Sequence, residues 1–289
     1  MKKILRHSMF LLATATLFAA CGDKDNANDP SDSPSGGGDN PGSSTYAFSG
    51  RKLAKAVVHF EHQYGNTWTY DFSWNGDLLQ EIRGFDSGRK TWRAEVVYEN
   101  GRPVTINGYR KDALDSRITY TYSGNKVSHV LYMEMDENDE GVMVLDTAVI
   151  LDYTYTGNKI TLINATEWRR NRQYHLSWDG NNISTFTGCE IEYSDKKSPF
   201  YPPVGLFGYE LLIMLSDNPS GWGYSTGNWS YFSWSENLMS RNINKADYNA
   251  TTTITGTFDG EYPLTLTNTT TADDMEGSKS FSVTYTYAD

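Results

Sequence analysis

The chain has 289 residues, of which 38% are hydrophobic and 14% aromatic, and carries a formal net charge of −11. That length allows one large all-β domain or two smaller domains, and a mean hydropathy of −0.58 puts the outer surface in water, not lipid. The acidic balance excludes a nucleic-acid partner and repels anionic membrane surfaces.

The chain opens with a targeting segment, residues 1–21. Lys2, Lys3 and Arg6 precede Met9 to Ala20, an apolar run too short to span a bilayer. The run ends Leu17-Phe18-Ala19-Ala20-Cys21, which resembles the lipobox of bacterial lipoproteins, with Phe18 where a small aliphatic residue is usual. The resemblance implies that Cys21 is diacylated and becomes the mature N-terminus. The other cysteine, Cys189, then has no disulfide partner, and with no basic residue or His beside it reads as a small core residue. Removing Lys2, Lys3 and Arg6 leaves 22 basic against 36 acidic residues, a mature charge of −14.

Residues 22–47 are rich in Gly, Pro, Ser and Asp and cannot bury a core. They read as a disordered tether with a random-coil reach of about 25–30 Å. Asp23, Asp25 and Asp29 resemble the export signal of Bacteroidetes-type surface lipoproteins. That implies an outer-membrane protein on the cell surface, with the periplasmic face as the other possibility, touching the membrane only through its lipid.

Residues 48–289 read as a single β-hairpin-repeat domain. The clearest copy is Tyr153 to Ile163 (YTYTGNKITLI), where an aromatic-rich strand enters a Gly-Asn turn and an aliphatic strand leaves it. The frame recurs as Phe72 to Ile82, Val96 to Ile106, Tyr120 to Val130 and Leu176 to Phe186, and more weakly as Gly256 to Leu266. One aromatic marks each strong copy: Trp74, Tyr98, Tyr122, Tyr155 and Trp178, at intervals of 24, 24, 33 and 23 residues. The 33 absorbs an acidic loop, Asp136 to Gly141. Such a period without helical spacing predicts an antiparallel meander, curved or closed into a barrel, with the marker aromatics on a common face. After the turn, apolar residues often lie three apart, as in Val127 and Val130 or Ile183 and Phe186. A strand period of two cannot put both on one face, so bulges or strong twist are expected there.

The pattern breaks at Ser194 to Ser220, where Pro199, Pro202 and Pro203 forbid a central strand. Leu206 to Leu215 is the one run that suits a short capping helix. Strands are expected again at Trp229 to Trp234, Thr251 to Phe258, Tyr262 to Thr269 and Ser280 to Tyr287. The Tyr-x-Tyr-x-Gly-Asn-Lys copies, the segment Tyr193 to Phe200 and the terminal Thr-Tyr-Thr-Tyr together resemble a Bacteroidetes-type lipoprotein family that carries a domain of unknown function. The resemblance covers roughly Val57 to Tyr287. It implies a porin-like fold and an outer-membrane location, but no activity and no site residues.

No catalytic motif is present. His59 and His62 are three apart and point to opposite faces of a strand, so they cannot share a metal; His129 and His175 lie within hairpin copies. Asp136 to Gly141 imitates the start of a calcium loop, but Thr147 stands where a bidentate Glu is needed, and an acidic hairpin tip is the better reading. The expectation is therefore a monomeric, non-enzymatic binding module without metal or cofactor, recognising a glycan or an outer-membrane partner protein. A carrier or assembly factor using an apolar barrel interior, and a hydrolase with an unrecognised carboxylate pair, are the alternatives. A spanning barrel is rejected because the non-aromatic alternates are Thr, Ser, Lys, Arg and Asn. The densest aromatic stretch, Gly221 to Trp234, supplies the ligand-binding candidates Trp222, Tyr224 and Trp229. Their flat rings among small polar residues suit stacking on sugar faces.

Overall fold

Each hairpin frame folds as two antiparallel strands, and the frames join into one sheet that closes on itself. The computed structural model describes residues 50–60, 67–86, 88–167, 170–186, 189–199, 235–244, 249–273 and 277–288. Among these residues there is no helix; the structure is all strand and turn. The targeting segment with Cys21, the tether 22–47, the expected helix Leu206 to Leu215 and the expected strand Trp229 to Trp234 lie outside the described residues.

The first eight strands are β1 (Leu53–Phe60), β2 (Thr67–Asn75), β3 (Leu78–Asp86), β4 (Arg89–Glu99), β5 (Arg102–Arg110), β6 (Ala113–Ser123), β7 (Lys126–Glu137) and β8 (Met143–Thr156). They are followed by β9 (Lys159–Glu167), β10 (Arg170–Asp179), β11 (Asn182–Phe186), β12 (Cys189–Lys197), β13 (Asn237–Asn244), β14 (Ala250–Asp259), β15 (Tyr262–Thr271) and β16 (Lys279–Tyr287). Every neighbour pair is antiparallel, and β1 pairs with β16 to close the barrel. One end, called the near end here, carries the turns that follow β2, β4, β6, β8, β10 and β14, both ends of the described chain and the β12–β13 connection. The longer β7–β8 connection, 138–142, lies at the far end. The near-end turns follow the sequence: Gly157 has φ 57°, as the first place of a type II′ turn needs, and Asn100 and Gly101 have φ 52° and 74°, as a type I′ turn needs.

The spacing of three resolves as expected from the sequence. Each of the six frames carries a register shift on reaching its marker position, at Ser73/Trp74, Val97/Tyr98, Thr121/Tyr122, Thr154/Tyr155, Ser177/Trp178 and Thr257/Phe258. One residue after each turn is thereby left without a partner, for example Ser128 between Val127 and His129. The bulge returns Val130 to the face that holds Val127, and both are buried to 1% exposure. Leu79 and Ile82, or Ile183 and Phe186, are buried as pairs for the same reason.

The buried face is the inner one. Ile106, Ile118, Ile183 and Val283 have 0% exposure, and the inner residues form two adjoining apolar clusters. A circular sixteen-stranded barrel would hold an aqueous channel. Here the roots of the wall are largely aliphatic and buried, while taller inner rings such as Trp68, Tyr70 and Phe72 stand over them and keep part of their surface accessible. The outer face is polar. On β6 it carries Asp115, Arg117, Thr119, Thr121 and Ser123, and β14 and β15 set Thr251, Thr253, Thr255 and Thr257 opposite Thr271, Thr269, Thr267 and Thr265.

Two details differ from the sequence reading. Strand β13 was not foreseen, because Asn237–Asn244 is poor in β-formers and a bulge beside Tyr193 breaks its alternation. Cys189 is half-buried instead of lying in the core, because it starts β12 at the far rim.

Candidate functional site

The repeat motif explains itself at the near end. Strands joined at the far end separate before they reach the near end, leaving backbone groups past the end of the ladder without a strand partner. Between β5 and β6 the last pair is Thr105↔Thr119. Three residues further along β6 lies Tyr122, whose hydroxyl donates to the carbonyl of Pro103 at 2.6 Å. The same side-chain cap forms seven times: Trp74 to Leu53, Tyr98 to Leu79, Tyr122 to Pro103, Tyr155 to Val127, Trp178 to Ile160, Tyr193 to Ile183 and Tyr287 to Pro263. A polar tip on a large ring is what this place needs, since the ring packs inward and the tip satisfies a carbonyl. Burial raises the hydroxyl pKa of Tyr98 and Tyr287 above the usual range, and that of Tyr193 is pushed up to about 12. None of these hydroxyls ionises at neutral pH.

The cation of the motif fastens the next hairpin. Lys126 reaches over the Tyr155 ring at 5.2 Å from its centroid and donates to the carbonyl of Gly157. Lys159 does the same over Trp178 toward Gly180, and Arg102 over Tyr122 toward Gly124. Marker ring, turn glycine and cation are thus parts of one inter-hairpin clasp.

The regular scheme fails at one seam, between β13 and β14. Their ladder ends at Arg241↔Thr253, and the place three residues on is Gly256, which has no side chain to cap anything. The end of β12 crosses to the β14–β15 turn instead: Lys197 N donates to Glu261 O at 2.9 Å, and Lys196 lies over Phe258. The chain between Ser198 and Ser235 departs and returns here. Its two ends are joined by Ser198 N donating to Glu236 O at 2.9 Å. Ser235 has 0% exposure and shares a hydrogen bond of 2.7 Å with the Tyr193 hydroxyl. Glu236 accepts from Lys197 Nζ and from Asn181 Nδ2, and Asn237 N donates to Asn182 Oδ1 at 2.9 Å. Those hydrogen bonds, with Lys197 first, hold the Glu236 carboxyl below the usual carboxylate range; the bond to Glu236 likewise raises Lys197.

Trp222, Tyr224 and Trp229 lie outside the described residues, but the fold fixes where their segment is rooted: on the near rim, at the one irregular seam. Cys21 also lies outside. The marker aromatics occupy equivalent places on the inner face, opposite buried residues as in Trp74↔Leu79 and Trp178↔Ile183, or, for Tyr155, the half-buried Ile160. His59 pairs with the Thr67 hydroxyl at 3.0 Å, and His129 with Asp152 at 2.7 Å, both on the exposed outer face. Among the described residues no group of three or more His, Cys, Asp or Glu could hold a metal ion. The acidic loop is a hairpin tip: Asn138 Oδ1 accepts from Glu140 N and Val142 N at 3.0 and 2.9 Å. Sequence reasoning passed over the apolar outer side of this same hairpin, though Met133, Met135 and Met143 stand out where many other outer positions are Thr or charged.

No protein-family model matches this chain, and no curated protein matches it. Among solved structures it is similar to a porin-like protein from Bacteroides uniformis, with a TM-score of 0.40 and 12% identity. The likeness covers 82% of this chain and 98% of that one.

Proposed function

We propose that this chain is a lipid-anchored outer-membrane module that binds a glycan or a partner protein, and is neither a pore nor an enzyme. The observation that carries the reading is the polarity of the wall. A lipid-spanning barrel needs an apolar outer band around a polar lumen, and this wall has a mainly apolar inner face and an outer face rich in Thr, Arg, Asp and Glu, with no continuous apolar band among the described residues. Such a barrel is soluble in its own right and needs Cys21 to reach a membrane. Chemistry would need a cleft with reactive groups, and the strongest side-chain interactions of the near rim are already used to fasten hairpins.

Two measurements test this. Purified full-length chain added to planar bilayers should give no stepwise conductance, and Cys21→Ala should move the protein from the membrane to the soluble fraction. Conductance steps, or a Cys21→Ala protein that stays with membranes after a carbonate wash, would overturn the reading.

A carrier with an apolar interior is the second reading, favoured by the half-buried inner rings Trp68, Tyr70 and Phe72, which adjoin both apolar clusters. Quenching of tryptophan emission by the apolar dye 1-N-phenylnaphthylamine, lost in Trp68→Ala, would move the weight to this reading.

A further inference from the structure

The β7–β8 hairpin is longer than the barrel around it. The β6–β7 ladder runs out at Ser116↔Glu134 and the β8–β9 ladder at Val149↔Glu167. Strands β7 and β8 continue to pair with each other through Met135↔Leu145, Asp136↔Val144 and Glu137↔Met143. This end is therefore a free two-stranded ribbon, and it projects at the far end, opposite the end where the chain enters the barrel at Leu53.

The ribbon combines two surface chemistries. Its outer side carries Met133, Met135, Met143 and Leu145, continuous with the outward pair Leu131↔Ile150. At its tip Val142, Met143 and Val144 are 53%, 55% and 37% exposed. They account for three of the five exposed large hydrophobics among the described residues. Around them stand the exposed acids Asp136, Glu137, Asp139, Glu140 and Asp146, with no Lys or Arg between Met133 and Thr147. The tip is also held in shape by Asn138, whose side chain and backbone both bond across the loop. A shaped tip loses little freedom on docking, and methionine adapts to irregular apolar surfaces.

We propose that this ribbon is the barrel's docking element for a partner protein that presents an apolar pocket rimmed by Lys and Arg. The proposal rests on the reading of the chain as a binding module and names the surface that does the binding. Charge selects the partner class: a lipid surface with anionic headgroups, or the acidic tip of a second copy, would face five negative charges. A simpler role for the acids is to guard the free strand edges against self-pairing. That role explains the charges but not why three exposed apolar residues sit among them.

The test is site-specific photo-cross-linking of the full-length chain in intact cells, with benzophenone-alanine in place of Met143 and, as control, in place of Thr255. The expected result is one discrete adduct to a different protein from position 143 and none from 255. Adduct yield should fall about tenfold when Asp136, Glu137, Asp139 and Glu140 are changed to their amides, since four exposed ion pairs together are worth about that factor, and it should fall on a wash at high salt. Met143→Ser in the presence of a benzophenone at Val142 should weaken it as well. Unchanged melting of the variants separates these losses from misfolding. No adduct, an adduct of twice the chain's own mass, an adduct to lipid, or a protein adduct indifferent to the four amides would each overturn the proposal. The conductance and fractionation results stand apart from all of these, so the broader reading can survive its failure.

Discussion

Removing three hydroxyls tests the clasp. Tyr98, Tyr122 and Tyr155 donate to Leu79, Pro103 and Val127 at 2.9, 2.6 and 2.8 Å, all partly buried. Changing any one to Phe keeps the ring and deletes the bond, which costs about 1 kcal/mol in a setting of this kind. Successive caps are two strands, or about 10 Å, apart and share no partner, so their costs add. The triple Phe variant should lose about 3 kcal/mol. For a domain of this size that is a fall in Tm of about 6–12 °C. Urea unfolding at neutral pH measures it, as a lower midpoint with unchanged slope. Tyr155→Ala adds the loss of the ring and of the Lys126 contact, but the ring is only half-buried. It should cost about 2–4 kcal/mol, below the upper range for a fully buried aromatic. A triple Phe variant no less stable than one single variant would refute the idea that these hydroxyls replace missing ladder bonds.

Three shorter expectations follow from the same geometry. Gly84→Ala should cost about 1–3 kcal/mol, since the added Cβ would meet Trp92 Nε1 at 2.2 Å; a much smaller cost when Trp92 is first changed to Leu checks the cause. Glu236→Gln should lower stability by at most about 1 kcal/mol at pH 7. Because the folded carboxyl is held below its unfolded value of about 4.3, that contribution exists above this value and disappears as pH falls through the lower folded one. Denaturation of wild type and variant should therefore converge once the pH is below the folded value, and a gap that persists in strong acid refutes the linkage. Gly157→Val should cost about 1–2 kcal/mol because its φ of 57° is strained for a β-branched residue, and Gly157→Asn should restore most of it.

The wall was legible because hairpin chemistry is local. Gly-Asn turns, alternating strands and the three-residue apolar step each act within a dozen residues, and the bulge at Thr154/Tyr155 follows from Ile160 and Ile163 having to share a face. Closure was not legible, since nothing in β1 or β16 names the other as partner. The caps were hidden for a similar reason: Tyr122 and Pro103 are 19 residues apart, and their bond depends on where a ladder between different hairpins stops. The far-end ribbon left a trace in the interval of 33 residues between Tyr122 and Tyr155, but the sequence reading spent that trace on the acidic loop alone. Its apolar outer side requires knowing that neither neighbour follows β7 and β8 to their ends. Trp222, Tyr224 and Trp229 were selected by composition, and the structure adds only the rim on which their segment is rooted.

This division of labour bears on where function can reside. A side chain that caps a carbonyl or clasps the next turn is not free to meet a ligand, so the frame's aromatics and cations are structural wherever the frame is intact. The frame is interrupted conspicuously in two places. One lies between β13 and β14, where Gly256 replaces a capping ring and the crossing end of β12 fills the gap. The other lies at β7 and β8, where the strands outrun their neighbours by three pairs. These interruptions sit at opposite ends of the barrel. The near-end one shares its end with Leu53, where the described chain enters β1, and the far-end ribbon does not. Among the described residues, everything at the near-end interruption is drawn into holding the wall together, whereas the exposed apolar tip of the far-end ribbon, Val142 to Val144, is the feature that the needs of the wall leave unexplained.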